Sequence, residues 1–324
     1  MKVLFVVDPL MGLDASIDTS VGLMHAVQDL GGEAWVTEAS QLELRGDAPW
    51  AWARQVLLAP SERGPGHTWS VPDPWFKAGE PCWLPLEEVR VVFMRTEPPV
   101  DLAYTAATFV LDHVDRGRTA LVNDPRGLRA CSEHLLGTHF PDVVPQTLVT
   151  AHPGSILDFV RTHGRSVVKP VDGFSGRGVF LLDPGDLNLG SLVETTTDRG
   201  GRLVVVQRYL PEVEQGNTRI VLLDGEPIGA VLRHPVPGDF RIAHPDGEAV
   251  LTARDHHLIE RLRPLLRAHG LRLACLDVIG DHLIEVNVTS AGALRKIDGL
   301  LGTGLCRAVV EHVLSVPLWS EVSS

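Results

Sequence analysis

The sequence is poor in the features that mark disulfide-linked, zinc-binding, membrane and nucleic-acid-binding proteins. Its four cysteines are far apart and show no Cys-x-x-Cys spacing, which argues against a zinc or redox motif and favours a reduced, cytoplasmic protein. No apolar run approaches the roughly 20 residues that a membrane-spanning helix needs. The 29 Lys and Arg residues against 41 Asp and Glu residues give a formal charge of −12, which disfavours nucleic acid as a partner.

The chain begins with the pattern of a β-α-β unit. Apolar strands are predicted at 3–7 and 34–36, with a helix at 21–30 between them, and this order favours a parallel sheet covered by helices. A further strand is predicted at 89–94. The segment 40–88 between them holds five tryptophans among many Pro and Gly residues. We expect irregular excursions and short hairpins there, with the indole rings used for packing; a ring-binding cluster is the alternative.

A glycine-rich stretch at 173–178 differs from the two common phosphate-binding loops. It lacks the Gly-Lys-Ser/Thr of a P-loop, and a strand is predicted after it where a dinucleotide-binding fingerprint would have a helix. The stretch follows an apolar strand that ends in Lys169-Pro170. Glycines let backbone N–H groups approach phosphate oxygens, and Lys169 adds a positive charge. The pattern predicts a phosphate-binding hairpin, with a flexible β-turn as the alternative.

Polar residues interrupt two apolar strands further along the chain. Asp277 lies in the first strand, and Glu285 and Asn287 lie on one face of the second. Asp277 joins that face if the turn has an odd number of residues, such as Gly280 to His282, whereas a two-residue turn would place it on the opposite face. We expect the odd-numbered turn, because a hard cation such as Mg²⁺ would satisfy three oxygen ligands on apolar strands. A strand with one solvated face is the alternative.

Three arginines are candidates for binding an anion. Arg219 lies in an apolar strand, where a charge needs an anion or a carboxylate as its partner. A Pro- and Gly-rich segment, 234–247, is predicted to be a mobile loop. Arg233 directly precedes this segment, and Arg241 lies within it. This arrangement suits recognition of a carboxylate or phosphate, and solvated charges are the simpler alternative.

Taken in chain order, these motifs resemble those of the ATP-grasp superfamily, and most closely those of the bacterial glutathione synthetases. The resemblance rests on Lys169-Pro170, the glycine-rich hairpin, Gln207-Arg208-Tyr209-Leu210-Pro211, Arg219 before Asp224-Gly225, Arg241, and the segment 276–290. It extends over nearly the whole chain, through Asp8-Pro9, Met94-Arg95 and Leu128-Arg129, and is weakest over 40–88.

The resemblance implies an ATP-grasp fold that combines α/β and α+β parts. An N-terminal parallel-sheet domain, on the substrate side, would span residues 1–125. A small lid with the glycine-rich loop would span 126–203, and a C-terminal subdomain with the metal ligands would span 204–320. ATP would lie between the last two parts.

The resemblance also implies roles for individual residues. ATP would be bound by His134, Lys169, Gly173, Phe174, Ser175, Gly176, Gln207, Arg208, Tyr209, Leu210 and Asn217. Two Mg²⁺ (or Mn²⁺) ions per site would be held by Asp277, Glu285 and Asn287. Arg219 and Arg241 would act in catalysis, and Arg233, Arg241 and Ser290 would contact the substrates.

The activity implied is the ATP-dependent ligation of a carboxylate and an amine through an acyl phosphate. The substrates would be γ-glutamylcysteine and glycine, handled by a homo-oligomer with no nucleic-acid or membrane partner. One alternative is a related ligase that joins a different acid and amine, and another is a nucleotide-binding protein without catalytic activity.

Three positions depart from the family pattern. His134 stands where a phosphate-contacting Lys is usual, which predicts weaker or pH-sensitive triphosphate binding. The segment 242–247 lacks the expected Asn and glycines, and 290–294 replaces a Ser-Pro-Thr-Gly-like turn. The last two departures leave the identity of the ligated acid and amine open.

Overall fold

A computed structural model describes residues 1–64, 68–173, 176–236 and 238–315. The N-terminal part contains a sheet with the strand order β10-β9-β1-β2-β4-β3, in which the first four strands are parallel as predicted. Its helix α1 begins after Asp18, because the Asp18 carboxylate accepts hydrogen bonds from the first N–H groups of the helix. The strands are β1 (Lys2–Val6), β2 (Glu33–Thr37), β3 (Leu42–Arg45), β4 (Ala48–Leu58), β5 (Glu62–Arg63), β6 (Trp69–Ser70), β7 (Phe76–Ala78), β8 (Cys82–Pro85), β9 (Val91–Met94) and β10 (Ala120–Val122), and the helices are α1 (Thr19–Asp29), α2 (Leu102–Leu111) and α3 (Pro125–Ala130).

The prediction of irregular structure over 40–88 was wrong for its longest part. β4 is a strand of 11 residues that pairs with β2, β3, β7 and β8. The tryptophans of this segment are half-buried, except for the exposed Trp83, and they contact other groups of the protein. The Trp52 and Trp83 rings lie 5.1 Å apart, and the Trp69 indole donates a hydrogen bond to the Arg295 carbonyl.

The middle part has a separate antiparallel sheet of order β11-β14-β12-β13. It is formed by β11 (Thr147–Thr150), β12 (Ser166–Pro170), β13 (Phe180–Leu182) and β14 (Val204–Arg208), with helices α4 (Pro153–His163) and α5 (Leu189–Thr196). Its core is a cluster of its own, around Val160, Val168 and Val206. The sheet reaches Arg208, so the predicted domain boundary at 203 precedes its last strand in the chain.

The C-terminal part is built on an antiparallel sheet of order β17-β16-β15-β18-β19. Its elements are β15 (Asn217–Leu223), β16 (Glu226–Pro235), β17 (Ile242–Glu248), α6 (Ala253–Ala268), β18 (Leu273–Ile279), β19 (His282–Asn287), α7 (Leu294–Leu301) and α8 (Leu305–Ser315). The predicted loop over 234–247 was wrong for His234 and Pro235, which end β16, and for the stretch from Ile242, which pairs with β16.

The N-terminal and C-terminal parts share their hydrophobic cores. Val3 and Phe5 of β1 belong to the same buried cluster as Leu273 of β18 and Val309 of α8. Polar contacts reinforce this junction at Asn123, which directly follows β10. Its buried side-chain amide donates to the carbonyls of Leu273 and Val288 at 2.8 and 2.7 Å and accepts the Leu273 N–H at 2.8 Å. None of the helices over the described ranges is long and apolar enough to cross a membrane.

Replacing Asn123 by Ala should lower the free energy of unfolding by about 3 kcal/mol, because buried backbone groups of Leu273 and Val288 would lose their partner. The measurement is urea unfolding followed by tryptophan fluorescence. Asn188→Ala is a matched control at an exposed position and should change the stability by less than about 0.5 kcal/mol. Equal effects of the two substitutions would show that Asn123 does not hold the junction.

Candidate active site

The β18–β19 hairpin brings the predicted polar residues together by a different route from the one expected. Its turn has two residues, because Ile279 pairs with His282, so the predicted odd-numbered turn was wrong. The register then shifts, and Asp277 pairs with Glu285. Ile284 is the extra residue of a β-bulge, and one added residue moves the following side chains to the other face. The bulge therefore places Asp277 and Glu285 on the same face, which we had expected an odd-numbered turn to do.

Asp277, Glu285 and Asn287 lie within hydrogen-bonding distance of one another. The Asn287 Nδ2 donates to Asp277 Oδ2 at 3.3 Å and to Glu285 Oε1 at 3.2 Å. Asp277 is buried, and 24% of the Glu285 side chain is exposed. Two carboxylates and an amide thus share one face of the hairpin, as the sequence predicted.

Two arginines from the neighbouring strands neutralise Asp277. Arg219 pairs with it across the β15–β18 ladder, with Nε donating to Oδ1 at 2.8 Å and Nη2 to Oδ2 at 2.6 Å. Arg233 Nη2 lies 2.7 Å from Asp277 Oδ1. Burial lowers the pKa of Arg219, but the ion pair with Asp277 more than offsets this and leaves that pKa raised. The predicted carboxylate partner of Arg219 is therefore Asp277.

Lys169 and His134 approach the hairpin from the side of Glu285. Lys169, near the end of β12, is buried and donates from Nζ to the carbonyl of Ile284 at 3.1 Å. Burial lowers the pKa of Lys169, while Glu285 and Asp277 act to raise it. His134 Nδ1 lies 2.6 Å from the Pro170 carbonyl, and its Nε2 lies 3.3 Å from Glu285 Oε2. Both oxygens are acceptors, so only the doubly protonated ring can donate to both.

The pKa of Glu285 reflects this cationic surrounding. Burial alone raises the pKa of the Glu285 carboxyl, but the hydrogen bond and charge of His134, together with Lys169, hold it well below its usual range. The carboxylate form is therefore the one that the site stabilises.

The glycine-rich loop is described in part, since Phe174 and Ser175 lie outside the described residues. Gly176 and Gly178 have φ angles of 69° and 71°, the region that glycine adopts readily. A Cβ atom on Gly176 would lie 3.4 Å from Arg241 Cδ. Arg241 is exposed and pairs with Asp239, with Nε donating to Oδ2 at 2.8 Å. The structure thus places Arg241 beside the glycine-rich loop and pairs it with Asp239.

The predicted adenine segment, 207–210, begins at the end of β14 in the middle antiparallel sheet. The N–H groups of Arg208 and Tyr209 donate to the carbonyls of Gln146 and Arg165 at 3.0 and 2.9 Å. The buried Gln207 side chain donates to Thr147 Oγ1, and Leu210 is buried. The N–H groups of Arg208 and Tyr209 are therefore already used within the protein. A backbone donor to a nucleotide would have to be another N–H group of this segment.

Two of the predicted contact residues have partners within the protein. The buried Asn217 accepts from Arg233 Nε at 3.0 Å, which couples the predicted ribose position to the arginine pair. Ser290 Oγ donates to the carbonyl of Arg95 at 3.2 Å. Arg95 itself is buried and donates from Nη1 to the carbonyl of Ala291 at 2.9 Å. Ser290 therefore lies at the junction of the C-terminal and N-terminal parts.

Arg95 and Glu133 bind groups next to the site, and the sequence motifs predict no site role for either residue. Glu133 Oε1 accepts the N–H groups of Val288 and Thr289, each at 2.8 Å, and burial raises the pKa of its carboxyl. It therefore orients the chain directly after Asn287. Their positions in the sequence could have indicated a role at the site. Arg95 directly follows the apolar strand β9, and Glu133 directly precedes His134.

The donor set of the hairpin fits a hard divalent cation. Within the described ranges, no group of three His, Cys, Asp or Glu side chains is arranged to hold a metal. Mg²⁺ in nucleotide sites, however, needs only one or two carboxylates beside phosphate oxygens. Asp277 accepts two N–H groups from Arg219, one from Arg233 and one from Asn287, which fills the roughly four positions that a carboxylate offers. A half-turn of the Asn287 amide would release one position and present its Oδ1 there.

Replacing Asp277 by Ala should lower the free energy of unfolding by about 3 kcal/mol, because two buried guanidinium groups would lose their shared carboxylate. Urea unfolding without nucleotide or metal measures this effect. The control Asp142→Ala removes an exposed pair with Arg261 and should leave the unfolding midpoint unchanged. An unchanged midpoint for both variants would contradict the pairing of Asp277 with the arginines as a source of stability.

Comparisons with known proteins match nearly the whole sequence. Residues 1–129 match the N-terminal domain of prokaryotic glutathione synthetase, and residues 133–302 match the ATP-grasp domain of prokaryotic glutathione synthetase. The glutathione synthetase of Thermosynechococcus vestitus is 43% identical over 319 residues, which cover 97% of this chain and 100% of that protein. The glutathione synthetase of Nitrosomonas europaea is 34% identical, over 96% of this chain and 97% of that protein.

Solved structures show the same fold at low sequence identity. The ATP-grasp ligase PsnB, complexed with a minimal precursor, has a TM-score of 0.62 and 17% identity, over 97% of this chain and 98% of that chain. The D-cycloserine synthetase DcsG has a TM-score of 0.62 and 15% identity, over 96% of this chain and 99% of that chain. The ATP-grasp fold expected from the motifs is confirmed.

These matches extend over nearly the whole chain and include both parts that form the candidate site. The protein is an ATP-dependent ligase that forms a C–N bond, and it uses ATP, a divalent metal ion and small-molecule substrates. The chain belongs to the prokaryotic glutathione synthetase family.

Proposed function

We propose that this protein joins γ-glutamylcysteine to glycine and converts ATP to ADP and phosphate. The observation that carries the proposal is the contact of Lys169, at the base of the glycine-rich loop, with the bulge carbonyl of Ile284. The contact supports the proposal because it brings the Lys169 ammonium group next to the paired Asp277 and Glu285, where it would bind a phosphate. Relatives named glutathione synthetase that match almost the whole chain support the choice of substrates.

Asp277, Glu285 and Asn287 would hold two Mg²⁺ or Mn²⁺ ions. When bound, these ions would supply positive charge that neutralises the β- and γ-phosphate oxygens. Lys169, His134 and the N–H groups of the glycine-rich loop would hold the same phosphates from the lid side. The positions of Lys169 and His134 support this assignment, because both side chains approach the hairpin close to its carboxylates.

The reaction needs no protein nucleophile. A carboxylate oxygen of γ-glutamylcysteine would attack the γ-phosphorus and break its bond to ADP, which gives an acyl phosphate. The glycine nitrogen, after losing a proton, would then attack the acyl carbon, and phosphate would leave with its C–O bond electrons. Arg219, Arg233 and Arg241 would stabilise the negative charge on the transferred group. Closure of the lid would exclude the water that hydrolyses an acyl phosphate.

A ligase for a different acid and amine is the second candidate, and one structural feature favours it. Ala293, which directly precedes α7, has a φ angle of 86°. Residues other than glycine rarely adopt this backbone conformation. It belongs to the 290–294 turn that departs from the family pattern. A changed turn beside Ser290 would alter the surface available to the amine.

We also propose that the protein is a cytoplasmic homo-oligomer without a nucleic-acid or membrane partner. The lack of zinc and redox motifs supports the cytoplasmic assignment, and the net charge of −12 disfavours a nucleic-acid partner. Light scattering coupled to gel filtration would measure the oligomeric state.

ADP release should require γ-glutamylcysteine and a divalent metal together, and amide formation should require glycine, because the acid must be activated before the amine attacks. The measurement is coupled detection of ADP, first with this pair and then across a panel of acids and amines. Turnover only with other pairs would identify the second candidate function. Failure to bind ATP or release ADP with any pair would refute both ligase assignments.

Glu285→Gln should lower kcat by roughly 100-fold or more, because a metal ligand and its charge are lost. Direct Mn²⁺ binding in the presence of an ATP analogue should weaken in parallel, while circular dichroism should show that the variant is still folded. Glu194→Gln, at an exposed position on α5, is the matched control and should behave as the unsubstituted protein. Full activity of the Glu285 variant would remove this residue from the metal site.

A further inference from the structure

The tryptophan-rich segment 40–88 contains none of the residues assigned to the candidate active site, but one part of it contacts the C-terminal part of the chain. Strands β5 and β6 of this segment pair with each other and form the β5–β6 hairpin. Residues of this hairpin donate hydrogen bonds to both ends of α7. The helix begins at Leu294, the last residue of the 290–294 turn. The hairpin therefore contacts the helix that directly continues this turn.

The Arg63 guanidinium binds the C-terminal end of α7. Its Nη2 donates to the carbonyls of Gly299 and Leu300 at 2.8 and 3.2 Å, and its Nε donates to Gly299 at 3.0 Å. The last carbonyls of a helix have no partner within the helix, and a cation there also interacts favourably with the helix dipole. The contact is close, because a Cβ atom on Gly302 would lie 2.5 Å from Arg63 Nη1. Arg63 therefore fixes the end of α7 that points away from the turn.

Trp69 and Arg295 fix the first turn of α7. Trp69 Nε1 donates to the Arg295 carbonyl at 2.9 Å, and the Trp69 backbone N–H donates to the carbonyl of Ser16 at 3.2 Å. Arg295 is only 3% exposed, and its Cζ lies 4.9 Å from the centre of the Trp69 ring. Its guanidinium also donates to the Ala15 carbonyl at 2.9 Å and to Ser61 Oγ at 3.2 Å. A buried charge needs such partners, so this group of contacts holds the hairpin, α7 and the loop before α1 together.

The position of α7 decides where Ala293 lies. The helix has eight residues, and a helix of this length depends on tertiary contacts for its stability. The Ile297 N–H donates to the Ala293 carbonyl at 2.8 Å, which ties this residue to the first turn of the helix. A shift of α7 therefore moves Ala293 with it.

The residues of the turn before Ala293 are held from other directions. Arg95 Nη1 binds the Ala291 carbonyl at 2.9 Å, and Cys275 Sγ donates to the Gly292 carbonyl at 3.3 Å. These contacts come from the N-terminal part and from β18, and they do not involve the hairpin. Ala293 is thus the residue of the turn through which the hairpin acts.

The turn borders the proposed metal face. Ser290 follows Asn287 by three residues. The Asn287 amide donates to both Asp277 and Glu285. These carboxylates belong to the β18–β19 hairpin and are held by the sheet, whereas Ala293 is held through α7. A displacement of α7 would therefore change the wall of the site and leave the carboxylates in place.

We propose that the β5–β6 hairpin positions the 290–294 turn through α7 and thereby sets how the amine is held for its attack on the acyl phosphate. Arg63 and Trp69 are positioning residues, because they act through the helix. The inference rests on the proposed function, in which this turn borders the amine. It also connects the segment in which the family resemblance is weakest, 40–88, with a turn that departs from the family pattern, because the two meet at the same helix.

The test uses two variants of the full-length protein. Trp69→Phe removes the N–H group that binds the Arg295 carbonyl and keeps an aromatic ring beside the guanidinium. Arg63→Met removes the guanidinium from the end of α7, and Arg63 is exposed, so this variant keeps the fold. Each variant should raise KM for glycine by roughly tenfold and leave KM for ATP and γ-glutamylcysteine within about twofold, because a small misplacement of one reacting group is costly.

The ratio of ADP to amide is the second measurement. The unsubstituted protein should form the two products in equal amounts. The variants should release more ADP than amide, because an acyl phosphate that waits for a misplaced amine is lost to water. A general loss of folded protein would lower kcat and would change neither this ratio nor KM.

Trp83→Phe and Arg45→Met are matched controls from the same segment. The Trp83 ring is exposed and packs on Trp52, and Arg45 pairs with Glu43. Both side chains belong to the sheet of β3, β4 and β8, so both variants should keep the kinetic constants of the unsubstituted protein. Arg63→Lys retains one donor for the helix carbonyls and should keep KM for glycine within roughly threefold of the unsubstituted value.

The other outcomes separate this inference from the proposed function. An unchanged KM for glycine and an unchanged product ratio in both variants would overturn the positioning role and leave the ligase assignment standing. Equal rises in KM for all three substrates, or a fall in kcat alone, would show that the hairpin only supports the fold and would overturn it too. A rise confined to γ-glutamylcysteine would place the acid at the turn, with the same consequence.

The unsubstituted protein decides the rest. If it ligates a different amine, the assignment of glycine fails, and the same KM and product ratio measured with that amine decide the role of the hairpin. If it turns over no acid and amine at all, the positioning role and the proposed function fail together.

Discussion

The β-bulge at Ile284 is the local feature on which the candidate site depends. The added residue places Glu285 opposite Asp277 after a two-residue turn that would otherwise send the two carboxylates to opposite faces. A bulged residue is also released from the regular ladder, and here the Ile284 carbonyl accepts a hydrogen bond from Lys169. The same irregularity therefore sets the register of the hairpin and anchors the lid to it.

The balance of buried charge is the second organising feature. Asp277 and Glu285 are surrounded by Arg219, Arg233 and Lys169, so the carboxylates are neutralised before any substrate is present. Burying a carboxylate without such partners would be prohibitive. In the proposed site, binding of a metal and a triphosphate would redistribute these contacts, because the arginine donors and the metal would compete for the oxygens of Asp277. The binding free energy of the metal would therefore depend on whether the triphosphate is bound.

The N-terminal part contributes to the site through its junction with the C-terminal sheet. Asn123 and Glu133 bind backbone groups on both sides of the hairpin, and Arg95 binds the turn that follows it. These residues hold β18, β19 and the 290–294 turn in one arrangement.

The sequence alone determined the strand-lysine-glycine pattern and the spacing of Glu285 and Asn287, because these depend on local periodicity and on the high cost of burying polar groups. It also indicated the family, since the motifs recur in a characteristic order. Tertiary structure alone decided how Asp277 reaches the face of Glu285 and Asn287, because the bulge at Ile284 arises from the pairing with β18 and has no distinct signal in the sequence. It likewise decided that Asn217 binds Arg233 and that β17 is a strand, because each depends on contacts between residues distant in the chain.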